Sequence, residues 1–233
     1  MDASRLRENL ETIRGRLADA ARRSGRDPVG VRLVAVTKRR STEAVRALVD
    51  LGVADLGENY PRELWEKADA LPGIAARWHL IGHLQGNKAR RTLPTVAMLH
   101  GVDSAKLLRT LDDLAMEMDT DGLPPICLQV NASGEETKHG WTPEGLLADA
   151  DTIAAQGAIP IVGLMTMAAA GPTPESARPA FARLRALRDE LRTRTGLDLP
   201  QLSIGMSGDY EVAVEEGATL VRIGSALFEG VDP

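Results

Sequence analysis

The chain has 233 residues, 43% of them hydrophobic and 26% charged, and a net charge of −5. That balance fits a globular domain with a sizeable core and gives no global attraction to nucleic acid or an anionic membrane. A single cysteine, Cys127 in PPICLQV, excludes an intramolecular disulfide framework and reads as a small buried apolar residue in a reducing compartment. No charged and then apolar leader opens the sequence, and no apolar run reaches the ~18 residues of a membrane span, so the expected location is cytoplasmic.

Leu6, Leu10, Ile13 and Leu17 recur at helical spacing, which predicts a helix over Asp2 to Ser24 with Arg-rich outer faces. Val31 to Lys38, VRLVAVTK, is apolar, β-branched and too short for a helix. It reads as a strand covered on both faces, as in a parallel sheet flanked by helices. Lys38 then stands at the strand's carboxyl end, where α/β folds place ligands. The chain keeps five lysines against twenty-three arginines. Lys38 is either a solvated strand-end residue or an amine kept for Schiff-base chemistry, because lysine loses its proton readily when buried.

Helices and strands alternate from there. Ser41 caps a helix to Leu51, and Val53 to Gly57 is a strand. A helix runs from Pro61 to Leu71, a strand from Arg77 to Ile81 and a short helix from Asn87 to Leu93. A strand over Val96 to Leu99 precedes a helix that Asp103 or Ser104 caps and that reaches Met118. The strand Ile126 to Val130 and a polar loop lead to a helix from Thr142 to Gly157. The strand Ile159 to Leu164 is followed by an Arg-rich helix from Thr173 or Pro174 to Gly196. The last elements are a strand over Gln201 to Ile204, a helix over Asp209 to Glu216, a strand over Thr219 to Ile223 and a helical turn at Ser225 to Phe228. Eight strand–helix units in this length predict an α/β fold: one (β/α)8 TIM-like barrel with an extra N-terminal helix, residues 1–233 forming one domain. A doubly wound open sheet is the alternative.

A barrel of this kind places reactive groups in the loops after its strands, and a phosphate site after strands seven and eight. Gly205-Met206-Ser207-Gly208-Asp209 and Gly224-Ser225-Ala226 stand at those two points. Glycines let backbone approach an anion, hydroxyls donate to it and helix N-termini attract it; ordinary glycine turns with serine caps are the plainer reading. Arg222 alternates with Val221 and Ile223, so on an inward face it needs an acceptor, either an acidic side chain or a ligand atom such as a ring nitrogen. A strand-end amine, an anion cradle and an inward arginine are the parts that a pyridoxal phosphate site needs. Asn59 after the second strand either contacts a cofactor ring or caps the next helix. His79 and His83 share a strand face, but no third metal ligand stands out, and no metal site is predicted. Ser133 to Gly140 is either a lid or a solvated loop.

The chain resembles the pyridoxal phosphate homeostasis protein family, also known as alanine racemase N-terminal-like proteins. The motifs that carry the resemblance are LVAVTK (33 to 38), GENY (57 to 60), WHLIGHLQGNK (78 to 88), VDS (102 to 104), LQVNASGEETKHG (128 to 140), GLMTM (163 to 167) and SIGMSGDYEVAVEEGATLVRIGS (203 to 225). The resemblance implies a barrel that holds pyridoxal 5′-phosphate as a Schiff base on Lys38. It implies Ser207, Gly224 and Ser225 as phosphate ligands, Met206 as lining, Arg222 as partner of the pyridine nitrogen and Asn59 as a contact to the ring side. It further implies a role in vitamin B6 homeostasis with no established catalysis and no catalytic residue, with pyridoxal phosphate as ligand and apo-enzymes that use it as recipients. Arg39-Arg40 departs from the family's usual continuation after the lysine, and Glu229 interrupts a common Phe-Gly; both bear on local loop shape.

Related racemases add a second, β-rich domain that supplies a catalytic tyrosine, and a chain ending at Pro233 leaves no room for one. Racemisation needs an acid/base group on each face of the substrate, and the sequence offers no clear second beside Lys38. Weak racemase or decarboxylase activity is the alternative function, and a cofactor-free aldolase using Lys38 is a third. The expected oligomeric state is monomeric, with no nucleic-acid or membrane partner.

Overall fold

Eight parallel strands pair in chain order and close on themselves. The structure is a computed structural model that describes residues 2–118, 122–135, 139–169 and 171–231. The strands are β1 (Arg32–Val36), β2 (Asp55–Glu58), β3 (Arg77–Leu80), β4 (Met98–Val102), β5 (Ile126–Gln129), β6 (Ile161–Met165), β7 (Gln201–Ser203) and β8 (Leu220–Ile223). The barrel is the expected TIM-like architecture, and the open sheet is excluded. Closure comes from β1 against β8, with Arg32 opposite Leu220 and Val34 opposite Arg222.

The helices are α1 (Ala3–Arg23), α2 (Thr42–Asp50), α3 (Pro61–Ala70), α4 (Gly86–Thr92), α5 (Ala105–Glu117), α6 (Pro143–Ala148), α7 (Ala150–Ala154), α8 (Arg178–Thr195) and α9 (Tyr210–Glu215). Asp2, Ser41, Ser104 and Thr142 cap four of them by accepting from N–H groups of the first turn. Helix α1 precedes the barrel and is held to its carboxyl-terminal end. Asn9 Nδ2 donates to the carbonyls of Leu227 and Glu229, and Arg23 pairs with Glu211 and Glu215.

Side-chain alternation divides the apolar residues between two clusters. Ala35, Leu56, Leu80, Leu99, Leu128, Leu164, Leu202 and Val221 point outward and meet the helices. Val34, Val36, Ile81, Met98, Cys127, Met165 and Leu220 point into the barrel. Cys127 is buried as expected, and burial pushes its thiol up to about 12.

Four segments differ from the sequence reading. Strand β4 starts at Met98, because Val96 ends a 3₁₀ turn over Leu93–Thr95, and it extends to Val102 through His100, whose polar side chain masked the strand. The helix expected from Thr142 to Gly157 breaks at Asp149, whose carboxylate accepts from the Trp141 indole at 2.8 Å. The expected Arg-rich helix begins as a 3₁₀ turn, Pro174–Ala177, and becomes α-helical only at Arg178. The segment after β8 is a run of turns in which Leu227 and Phe228 N–H both return to the Gly224 carbonyl.

One buried network outside the sheet sets the backbone from which Lys38 extends. Lys67 of α3 donates to Glu58 Oε1 at 2.6 Å and to the Thr37 carbonyl at 2.7 Å, and Thr37 Oγ1 donates to the same Glu58 oxygen at 2.6 Å. Burial pushes the Glu58 carboxyl above its usual range, against the hydrogen bonds from Lys67 and Thr37. On the far side of Lys38, Arg39 has φ 58°, the one non-glycine residue at positive φ among those described, and its N–H donates to Glu63 at 3.2 Å.

Two stability predictions follow from these contacts. Lys67→Met strands a carboxylate in the interior and is expected to lower stability by about 3–5 kcal/mol in urea unfolding; combining it with Glu58→Gln should recover part of the loss. A Cβ on Gly163 would lie 2.0 Å from the Gln201 carbonyl oxygen, whereas one on Gly15 of α1 meets nothing within 4 Å. Gly163→Ala should therefore destabilise by about 1–3 kcal/mol, and Gly15→Ala should stabilise by roughly 0.5–1 kcal/mol.

Candidate functional site

The loops that follow the strands surround a cavity of about 510 Å³. Lys38, Asn59, Met206, Ser207, Arg222, Gly224 and Ser225, chosen from four separate stretches of sequence, all line it. Val36, Ile81, Gly82, His83, Gln129, His139, Met167 and Gly208 complete the wall. The volume is that of a small-molecule site.

Lys38 stands just beyond β1 and is exposed at the cavity's mouth. Among the described residues the buried lysine is Lys67, so burial is not what distinguishes Lys38. Asn59 does not cap α3; the cap residue is Tyr60, which makes no side-chain cap bond. The positions that depart from the family pattern have separate partners: the Arg40 guanidinium lies 4.3 Å from the centre of the Phe228 ring, and Glu229 offers its carbonyl to Arg5 and Asn9.

The turns after β7 and β8 interlock. The N–H groups of Gly224 and Ala226 both donate to Ser207 Oγ at 3.2 Å. Two amides thus converge on one oxygen inside the cavity. Glycine suits position 224, because a Cβ would lie 3.1 Å from Val36 Cβ and 3.3 Å from the Val36 carbonyl oxygen, a tight fit that Val36 would have to yield to. No helix dipole contributes: α9 is only six residues long, and its cap residue Asp209 accepts from the Met206 N–H at 2.6 Å. Burial pushes the Asp209 carboxyl up against that bond.

Arg222 projects inward from β8 and is 4% exposed. Its hydrogen bonds go to Ser203 O and Ser203 Oγ, both at 2.6 Å, and to Thr166 O at 2.9 Å. None is to a carboxylate, so the acidic partner weighed from sequence is not what holds it. A guanidinium has five N–H donors, and these bonds use three. Among the described residues, the other two have no protein acceptor. Burial lowers the Arg222 pKa to about 10, which leaves it charged at neutral pH.

Behind Arg222 lies a polar chain that the sequence reading did not connect. Ser203 Oγ is 2.7 Å from His100 Nδ1, His100 Nε2 is 2.8 Å from His79 Nδ1, and His79 Nε2 is 2.8 Å from Asp55 Oδ1. Arg77 completes it with a two-pronged bond to Asp55 at 2.7 and 2.6 Å. Burial opposes the Asp55 charge, but the hydrogen bonds from Arg77 and His79 override it and hold that carboxyl far below the usual range. His79 and His83 do not converge. His83 lies on the rim with Nδ1 2.6 Å from Asp103, stacked on His139 at 5.3 Å between centroids. One ligand atom from each of His83, Asp103 and His139 falls within 4.8 Å of the others. The loop from Ser133 to Gly140 is anchored where Gln129 Nε2 donates to the His139 carbonyl; its residues 136–138 lie outside the described residues.

Comparison with known proteins identifies the family. Residues 1–232 match the model of the alanine racemase N-terminal domain. The pyridoxal phosphate homeostasis protein of Pseudomonas aeruginosa is 42% identical over 233 residues, covering 98% of this chain and 97% of that one. The protein of the same name from Homo sapiens is 36% identical, covering 94% and 84% of the two chains. PipY of Synechococcus elongatus, solved with PLP bound, superposes with a TM-score of 0.81 at 34% identity, covering 96% of this chain and 99% of that one. Alanine racemase of Clostridium difficile shares the fold, with a TM-score of 0.75 at 15% identity; the match covers 97% of this chain and 59% of the racemase. The chain belongs to the pyridoxal phosphate homeostasis protein family, built on the alanine racemase N-terminal domain.

Proposed function

We propose that the cavity binds pyridoxal 5′-phosphate on Lys38 and that the chain serves in intracellular vitamin B6 homeostasis, holding the cofactor without turning over a substrate. The observation that carries this reading is the convergence of the Gly224 and Ala226 amides on Ser207 Oγ, in a cavity that also presents Lys38 and Arg222. Convergent backbone amides and a hydroxyl form an anion-binding nest. Ser207, Gly224 and Ser225 would hold the phosphate, Met206 and Asn59 would flank the ring, and the free donors of Arg222 would face the pyridine nitrogen.

When bound, the cofactor supplies an aldehyde that condenses reversibly with a primary amine. Lys38 presents the one lysine amine in the lining. Arg222 stays protonated and can only donate, so it keeps a ring nitrogen as an acceptor without a proton of its own. A ring held that way is a poor electron sink, which suits storage better than turnover. The barrel closes on itself without a partner, and the proposed state is a monomer. Apo-enzymes that require the cofactor are the proposed recipients, and the proposed compartment is the cytoplasm. No helix among the described residues is long and apolar enough to cross a membrane.

His83 and His139 favour a second reading, weak racemase activity, because they bring titratable imidazoles to the cavity that holds Lys38. Holoprotein incubated with amino acids in deuterated water decides between them. The homeostasis reading expects no exchange of the α-proton; exchange at substrate level replaces it with the racemase.

The binding assignment is tested by borohydride reduction of protein incubated with pyridoxal phosphate. Wild type should carry the cofactor covalently on Lys38, and Lys38→Ala should carry none; covalent cofactor on the variant would overturn the anchor. Ser207→Ala should weaken pyridoxal phosphate about tenfold, the loss of one charge-assisted hydrogen bond, and leave pyridoxal without phosphate little changed.

A further inference from the structure

Barrels of this kind normally fill their interior with branched apolar side chains. This one threads polar side chains through it instead, from the cavity floor to the opposite mouth. Asp55, His79, His100, Ser203 and Arg222 are all buried, and Arg77 at the far end is half exposed. Two further cavities open at that mouth, and Asp55 and Arg77 line both of them.

The hydrogen bonds of this chain run in one direction only. Arg222 can only donate, and Ser203 Oγ accepts from it at 2.6 Å. The Ser203 hydroxyl proton is then free for its other neighbour, His100 Nδ1, at 2.7 Å. Burial pushes the His100 pKa well below its usual value, so this imidazole is neutral. With Nδ1 accepting, its proton sits on Nε2 and is donated to His79 Nδ1 at 2.8 Å. His79 in turn carries its proton on Nε2 and donates it to Asp55 Oδ1 at 2.8 Å. The carboxylate can only accept, and it also takes both prongs of Arg77. The reverse direction would need both His79 nitrogens to donate, and with His100 and Arg222 both donating to Ser203 Oγ the hydroxyl's own proton would have no acceptor among the described residues.

We propose that Ser203, His100 and His79 are positioning residues for Arg222: a one-way hydrogen-bond chain ties its guanidinium to the Asp55 carboxylate at the opposite mouth and holds its free donors toward the cofactor ring. The proposal rests on the reading of the cavity as a pyridoxal phosphate site. Ser203 and Thr166 take three of the guanidinium's protons and fix its plane. The Ser203 hydroxyl can hold its share only while His100 accepts from it, and His100 keeps that tautomer only while His79 and Asp55 accept in sequence. The far carboxylate thereby acts on the ring environment without touching the cavity, and the lining does not include it.

Two measurements test the chain. The first is ¹⁵N NMR of histidine-labelled protein without cofactor. His79 and His100 should both carry their proton on Nε2; a proton on Nδ1 of either would overturn the direction. The second compares the absorption band and affinity of pyridoxal phosphate in wild type, Ser203→Ala and Asp55→Asn, each checked for a cooperative urea transition. Ser203→Ala should raise the dissociation constant about tenfold and move the band. Asp55→Asn should move the band the same way although it lies outside the cavity. Two folded variants with the wild-type band would overturn the coupling, as would a shift in Ser203→Ala with none in Asp55→Asn, since that confines the effect to local packing. Wild type that binds no pyridoxal phosphate refutes the cavity reading and the coupling to it, while the tautomers still decide the direction of the chain.

Discussion

Arg32, Leu33, Val34 and Ala35 of β1 pair in parallel with Leu220, Val221, Arg222 and Ile223 of β8, and without that pairing the cavity has no walls. The register brings the carboxyl end of the first strand beside that of the last. Lys38 and the turn at Gly224 then share one rim, and Gly224, with no side chain, fits closely against Val36. The rest of the site is consistent with this seam. The turn after β7 reaches across it through Ser207, and α1 and the loop that follows it secure it from outside through Asn9, Arg23 and Arg26.

Two buried polar networks serve the two charged groups of the cavity, one on each side of the sheet. Outside it, Glu58 and Lys67 hold the Thr37 backbone from which Lys38 extends. Inside it, the chain from Asp55 to Ser203 ends on Arg222. Such networks cost desolvation and give back little net stability unless every member is paired. The inner one pairs every member except the part of Arg222 that faces the cavity. The outer one leaves Glu58 Oε2 without a partner among the described residues. Each of these two networks fixes the geometry of a single cavity side chain.

Periodicity made the barrel legible, because alternating apolar strands and amphipathic helices leave their pattern in local sequence. VRLVAVTK was readable as a strand for that reason, and Gly205 to Asp209 and Gly224 to Ala226 were readable as turns at the points where a barrel binds anions. Strand β4 was misplaced because its inward residue is a histidine, and an interior that is polar does not alternate as an apolar one does. His79 showed the same limit: the sequence paired it only with His83 and offered it no role, whereas its partners are His100 and Asp55, 21 and 24 residues away. The break at Asp149 depends on Trp141, a tertiary partner that helical spacing does not register. The burial of Lys67 was likewise invisible, since Glu66 and Ala68 beside it give no local sign of it and only the packing of α3 on β2 produces it.

The closing seam also bears on how the protein comes into being. Nearly the whole chain lies between β1 and β8, so their contact is among the most distant in sequence, and such contacts form late because the loop entropy comes first. On the ribosome the amino-terminal strand emerges long before its partner. The anion cradle is local to the turns after β7 and β8, but it meets Lys38 only when that seam closes. The complete site is assembled by the last step of folding, and ligand capture becomes a reporter that the final strand has docked. A ligand that binds only the closed barrel also stabilises it by mass action. Supply of the ligand is thereby coupled to the fraction of newly made chains that complete the fold.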